Sequence, residues 1–316
     1  MPNKLPRKKE IKDCQWTQVA TSDGLRLDGM LHQAPSHSAN KDSSLDPADA
    51  PIAGNPVALL MHGAGANFYG PSLINRVGTH LHRDGWSVLR ANNRGHDGWH
   101  VAFRGGKMIN LGAAFERLEE SILDVLAWVD WLVRNNFGPI WLVGHSLGAF
   151  KSLYALNAIR HRTEYQSRLQ QIQGIIAISP PCLSQSLFQN SDQGDLFCQT
   201  VQHCQQMIEN GQVNDVFQAT YPFPMLISPG CYLNKYVSGE AFNFTQWLDS
   251  FDCPLYWIFG QDELASHVAL AEGVKQLQQA LPEGHQLKIF PNADHFFTGS
   301  TREVCVEVAH WIKRFR

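Results

Sequence analysis

Residues 140–150, IWLVGHSLGAF, decide the fold. Ile140 to Val143 form a continuous apolar run, as a strand buried on both faces of a parallel sheet requires. Leu147 to Phe150 then open a helical stretch. Between the two lies Gly144-His145-Ser146-Leu147-Gly148, a G-x-S-x-G pattern in strand-to-helix context. A residue at the centre of so tight a turn is held in a strained backbone conformation, and the flanking glycines remove side chains that would collide with neighbouring backbone. Ser146 is thereby presented at the top of the sheet. The helix behind it contributes a positive dipole end, and the Leu147 N–H is aimed at any oxyanion that forms there.

Outward from this turn, short apolar runs alternate with amphipathic stretches. The runs at 56–61, 86–91, 140–144, 174–179, 255–260 and 286–291 read as buried strands, and the intervals as helices. The clearest helix is 115–135, with Leu118, Ile122, Val125, Leu126, Val129 and Leu132 at helical spacing. Further helices are expected over 147–160 and from 300 to the C-terminus. Residues 16–32 alternate around Asp23-Gly24 as an antiparallel hairpin, and 33–56, almost without large apolar residues, read as a surface loop. The fold class is α/β, a mostly parallel central sheet with helices on both faces. Residues 1–15 are a basic polar tail, and 16–180 with 253–316 make the core. Residues 181–252, between the sixth and seventh strands, lack a buried-strand pattern and read as an inserted lid with a helix near 196–208.

A serine hydroxyl is a weak nucleophile at neutral pH and needs a base, which in turn needs a group to orient it. Candidates for these roles lie in the motifs HGAGAN (62–67), NRGHDG (93–98), GHSLG (144–148), GQDE (260–263) and DHF (294–296). Taken together and in this order, they resemble the α/β-hydrolase superfamily over about residues 16–316. The resemblance implies Ser146 as nucleophile, followed in chain order by the acid and the histidine. Asp262, after the strand at 255–260, fits the acid, and His295, after the last strand, fits the base. Glu263 stays open as an alternative acid, while Asp294, adjacent to the histidine, reads as structural. Ala64, after His-Gly, is the expected second oxyanion donor beside Leu147. His62, Gly65, Arg94 and His145 are possible substrate contacts, although Arg94 reads more readily as the partner of a structural carboxylate.

The implied reaction is acyl transfer on a carboxylic ester by a serine esterase-like enzyme, with no cofactor. Eight of the aromatic residues of the lid, Phe197, Tyr221, Phe223, Tyr232, Tyr236, Phe242, Phe244 and Trp247, suggest an apolar or aromatic substrate. A thioesterase, peptidase or carbon-carbon hydrolase of the same fold, or a non-catalytic ligand-binding protein, remains open.

The 316 residues are 44% hydrophobic and 17% charged, which suits a globular enzyme. A net charge of -3 offers no footprint for nucleic acid, and the one dense basic run, Lys4, Arg7, Lys8 and Lys9, reads as a solvated tail. No apolar run approaches the roughly 20 residues of a membrane helix. A cytoplasmic protein acting on a small molecule, without membrane or nucleic-acid partners, is the expectation, and the oligomeric state is open. Seven scattered cysteines without CxxC pairs argue against disulfides and zinc. His96 and His100 have an i, i+4 spacing but lie in a glycine-containing turn, so no metal is expected.

Overall fold

The computed structural model describes residues 14–34 and 55–315. The basic run and most of the expected surface loop lie outside the described residues. β1 (Cys14–Ala20) and β2 (Arg26–His32) pair as the antiparallel hairpin. There follow β3 (Asn55–Met61), α1 (Leu73–Arg83), β4 (Ser87–Ala91), a ribbon of β5 (His100–Arg104) and β6 (Lys107–Leu111), and α2 (Ser121–Arg134). β7 (Phe137–His145), α3 (Leu147–Ile159), α4 (Gln166–Leu169) and β8 (Ile172–Ile178) come next. After β8 the chain forms α5 (Gln185–Gln189), α6 (Gly194–Glu209), a ribbon of β9 (Phe217–Ala219) and β10 (Met225–Ile227), and α7 (Pro229–Tyr236). β11 (Leu255–Gly260), α8 (Gln261–Ser266), α9 (Val268–Gln279), β12 (Gln286–Phe290) and α10 (Thr301–Lys313) complete it.

The main sheet has the order β1-β2-β4-β3-β7-β8-β11-β12. Every pair from β4 to β12 is parallel, and β2 joins β4 antiparallel. Alternation along the strands feeds two apolar layers. Leu59, Leu89, Leu142, Ile175 and Trp257 face one layer with α2, α3 and α9. Leu60, Val88, Val143, Ile176 and Ile258 face the other, closed by α1 and α10.

Two expectations require correction. The helix expected over 115–135 begins only at Ser121, after a short helical turn from Leu118 to Glu120. Ahead of that turn lies Glu116, whose fully buried carboxylate is held by the ammonium groups of Lys151 and Lys235. Burial works against that charge, but the two cations outweigh it and hold the carboxyl down to about 2. The β5–β6 ribbon was not anticipated, because its strands flank a Gly105-Gly106 turn with too little buried alternation to register.

Within 181–252 the aromatic side chains divide. Phe197, Tyr221, Tyr232 and Tyr236 are buried against one another and Phe188. Phe242 and Trp247 lie against Phe150 and Tyr154 of α3, and Phe244 stacks on Trp257 of β11 at 5.2 Å. Most of these rings therefore serve packing, within the segment or onto the sheet.

Candidate active site

Ser146 stands between β7 and α3 at φ 55 and ψ -129, a conformation that a non-glycine residue adopts only under constraint. The constraint comes from the glycines on either side. A Cβ on Gly144 would meet the Ala149 backbone nitrogen at 2.5 Å, and one on Gly148 would meet the Met61 and His62 carbonyl oxygens at 2.3 Å. Glycine at 144 thus lets α3 fold back closely on the end of β7, and glycine at 148 lets the turn press against the end of β3. The Ser146 N–H donates to the Ile178 carbonyl at 2.7 Å, which pins the turn to β8 as well.

From the serine a relay of hydrogen bonds runs to the last strands. Ser146 Oγ lies 3.0 Å from His295 Nε2, and His295 Nδ1 lies 2.6 Å from Glu263 Oε2. With the Nδ1 proton donated to the carboxylate, Nε2 keeps its lone pair for the serine proton. Glu263 has no exposed side-chain surface, and its other oxygen accepts from Ser179 Oγ at 2.6 Å and from the Gly260 N–H at 2.7 Å.

Asp262, the expected acid, is not in this relay. Its side chain is exposed, and it is tied in through its backbone, whose N–H donates to the Ala293 carbonyl at 3.0 Å. The reason is helical geometry. α8 starts at Gln261, so residues 262 and 263 project about 100° apart, and only one can face the sheet. Glu263, at the third position of α8, bends back to the Gly260 N–H as the acidic member of a capping box does, and its longer stem reaches His295. Glycine followed three residues later by glutamate was the available signal for it. Ser179, which supports Glu263 from the end of β8, carried no sequence signal.

Among the possible substrate contacts, Gly65 and His145 line a cavity of about 750 Å3 that contains Ser146 and His295, whereas His62 and Arg94 do not. His62 is buried behind the turn, with Nδ1 2.8 Å from the Gly63 carbonyl and Nε2 accepting from the Asn93 N–H at 3.3 Å. Arg94 is buried too, and its guanidinium is used up by Asp124, Glu120 and Asp23 at 2.8, 2.5 and 3.3 Å. His145 Nε2 lies 2.9 Å from the His295 carbonyl oxygen. Burial above all, with the charge of neighbouring His295, pushes His145 down to about 3, so it donates to that carbonyl as a neutral imidazole. Burial likewise takes His62 down to about 3.

Ala64 and Leu147 both line the cavity. Leu147 is the first residue of α3, so its N–H lacks a partner within the helix. In the neighbouring turn the Gly65 and Ala66 N–H groups donate to the Gly95 and Gly63 carbonyls, and among the described residues no such bond uses the Ala64 N–H. Across from them, residues 181–252 contribute Leu183, Phe223, Met225, Leu226 and Tyr236 to a mostly apolar wall, with Phe296 and His267 from the core. Of the eight aromatic residues expected at a lid, Phe223 and Tyr236 reach the cavity.

A family model described as the alpha/beta hydrolase family matches residues 58–308. Among curated proteins, none matches the sequence significantly. Among solved structures, GrgF, an alpha/beta hydrolase from Penicillium sp. sh18, is similar with a TM-score of 0.66 at 14% identity, over 98% of this chain and 99% of that one. Est1E from Butyrivibrio proteoclasticus with bound ferulic acid gives 0.60 at 16% identity, over 94% and 98%. The Pyrococcus furiosus esterase Pf2001 gives 0.57 at 16% identity, over 98% and 96%.

Proposed function

The chain belongs to the alpha/beta hydrolase family, and from that premise we propose that it is a serine hydrolase that cleaves carboxylic esters through an acyl-enzyme. The observation that carries this reading is the unbroken relay Ser146–His295–Glu263, with spacings of 3.0 and 2.6 Å, beside an apolar cavity. In the reaction His295 Nε2 takes the Ser146 proton as Oγ attacks the ester carbonyl, and the Ala64 and Leu147 N–H groups hold the oxyanion. The imidazolium returns its proton to the departing alcohol. Water, deprotonated by the same nitrogen, then releases the acid and restores the serine. Glu263 orients the imidazole and stabilises its cationic form without taking the proton. In this reading the acid is Glu263, which the hydrogen bond to His295 supports, and not Asp262.

The apolar lining supports a substrate with an apolar or aromatic group, and the esterase name of the similar Pyrococcus furiosus structure agrees with an ester bond. Residues 181–252 act in this reading as a lid, with Phe223, Met225 and Leu226 in contact with the substrate.

A fluorophosphonate probe tests the reading. Stoichiometric labelling, mapped by peptide mass spectrometry to Ser146 and slowed while a saturating aromatic ester is present, is the expected result. An unlabelled folded protein, or a label on another serine, would overturn it.

A further inference from the structure

The turn that leaves β4 gathers a second group of chemically active side chains, away from the relay. At Asp97 the backbone turns through φ 59, which folds the chain back on itself between His96 and His100. No helix places these histidines together. The turn does, stacking their rings with centroids 4.0 Å apart at 26°. His96 Nδ1 lies 2.8 Å from Asp97 Oδ2, and one ligating atom from each of His96, Asp97 and His100 falls within 4.8 Å of the others. His100 brings a further anomaly, since its Nδ1 is buried with no hydrogen-bond partner among the described residues. A buried polar atom left unsatisfied is costly, and either water or a bound ion relieves it.

We propose that His96, Asp97 and His100 form a binding site for one divalent transition-metal ion of the zinc class. Two imidazole nitrogens and one carboxylate oxygen are a donor set that suits zinc, whose bonds of roughly 2.0–2.2 Å require ligand atoms a few ångströms apart; because a metal lies in the plane of each imidazole that binds it, the His100 ring turns out of its stack on His96 as the ion enters. A water molecule completes the four-coordinate shell. The ion replaces the proton shared by His96 Nδ1 and Asp97 Oδ2, and that proton leaves to solvent as the metal enters. Entry is open, because the His96 and Asp97 side chains keep 18% and 31% of their surface exposed. Asp97 Oδ1 accepts from Asn67 Nδ2 at 2.7 Å and Oδ2 from the Tyr69 hydroxyl at 2.5 Å, which fixes the carboxylate in place as a ligand.

The site is joined to the cavity wall by backbone. The Asp97 N–H donates to the Ala66 carbonyl at 3.1 Å, the Ala113 N–H donates to the Asp97 carbonyl at 2.9 Å, and Gly98 itself lines the cavity. A bound ion therefore braces the wall that includes the turn at 63–66. This inference does not depend on the hydrolase reading.

The test uses the full chain, stripped with chelator and titrated with Zn2+ alone, with stoichiometry from elemental analysis after dialysis. The expected result is one equivalent bound and a rise in melting temperature on zinc addition. His96→Ala and His100→Ala should each weaken the binding by about 100-fold or more and remove the thermal shift, while remaining folded by circular dichroism. Titration with Co2+ should give the visible absorption of a tetrahedral nitrogen and oxygen site in the wild type and lose it in both variants. His295→Ala controls for the relay and should retain the equivalent. Wild-type protein that binds no zinc, binding that survives both substitutions, or binding lost on His295→Ala would each overturn the proposal.

Discussion

The two ends of the relay are built differently. The serine end is held by backbone, since Gly144 and Gly148 lie so close to Ala149, Met61 and His62 that no side chain fits, and Ser146 has a single place to go. The acid end is held by a side chain, because α8 begins one residue after β11 and the start of that helix decides which carboxylate turns inward. Backbone constraint is written in a local pattern of glycines. Side-chain direction depends on where a helix starts and on the length of a stem. The lesson is that a nucleophile at a tight turn is robust to small shifts in register, whereas its supporting acid exchanges with its neighbour when the helix start moves by one residue.

The largest effect should come from the rigid end. Ser146→Ala is expected to lower kcat/KM on an activated aryl ester by about 10⁴-fold or more. The melting temperature should stay unchanged or rise slightly, since removing a hydroxyl from a strained turn costs no packing. Retention of more than about a hundredth of the activity in steady-state assays would break the comparison at its first term.

Glu263→Gln comes next, with an expected loss in kcat of about 10³-fold or more and little change in KM. The amide removes the charge that stabilises the imidazolium and lets His295 turn to the wrong tautomer. Burst kinetics with a chromogenic ester should show acylation itself slowed. A mild effect here would mean that the acid end is dispensable and the relay shorter than its hydrogen bonds suggest.

How much of this was legible in the sequence follows from the same contrast. The elbow, the mostly parallel sheet and the position of His295 after the last strand depend on local pattern and chain order, and all three stand where the sequence placed them. Asp262 and Glu263 are adjacent, and nothing local to GQDE distinguishes them until Ser179 and Gly260 converge on one carboxylate. Arg94 was legible as the partner of a carboxylate, but which carboxylate it meets, and the whole role of Glu116, were opaque for a similar reason. Their partners lie far along the chain, Asp124 and Lys235 among them, and charge balance in a core appears only once the elements are assembled. The aromatic content of 181–252 was visible, but its division between internal packing and the cavity wall was not.

The serine end also carries two neutral buried histidines, which gives it a pH signature. His62 and His145 are both held down to about 3, against about 6.5 in an unfolded chain. Between those values the unfolded state binds protons that the folded state refuses, so stability falls as pH drops below about 6.5 and continues to fall toward 3. The two groups together should make the protein about 2 kcal/mol less stable at pH 5 than at pH 6, read from urea unfolding. His62→Gln should remove about half of that difference. A flat profile would show that these rings accept protons without unfolding, and that the serine end is looser than its glycine contacts imply.

Ser179→Ala probes the acid end from behind. The Glu263 carboxylate would keep the Gly260 N–H but lose a 2.6 Å donor, leaving a buried anion partly unsatisfied. A drop in kcat of about tenfold with KM unchanged is expected, the size of one weakened charged hydrogen bond. A loss as large as that of Glu263→Gln would mean that the serine and the glutamate act as one unit.

The smallest effect, and the one that most sharpens the contrast, belongs to Asp262→Asn. The side chain is exposed, and the link that ties residue 262 to the structure is its backbone N–H to the Ala293 carbonyl, which the substitution leaves alone. A carboxylate in the first turn of a helix gains roughly 0.3–1 kcal/mol from the helix dipole, so a slight loss of stability is expected. Catalysis should change by about twofold or less, because a solvated charge pointing away from His295 is screened. Parallel assays of Asp262→Asn and Glu263→Gln on one ester therefore measure, within two adjacent residues, what the start of α8 decides. If Asp262→Asn were the crippling change, α8 would have to begin one residue earlier in the working enzyme, turning Asp262 inward and freeing Glu263. The Gly260 N–H and the Ser179 hydroxyl would then lose their acceptor, and Glu263→Gln would be the mild member of the pair.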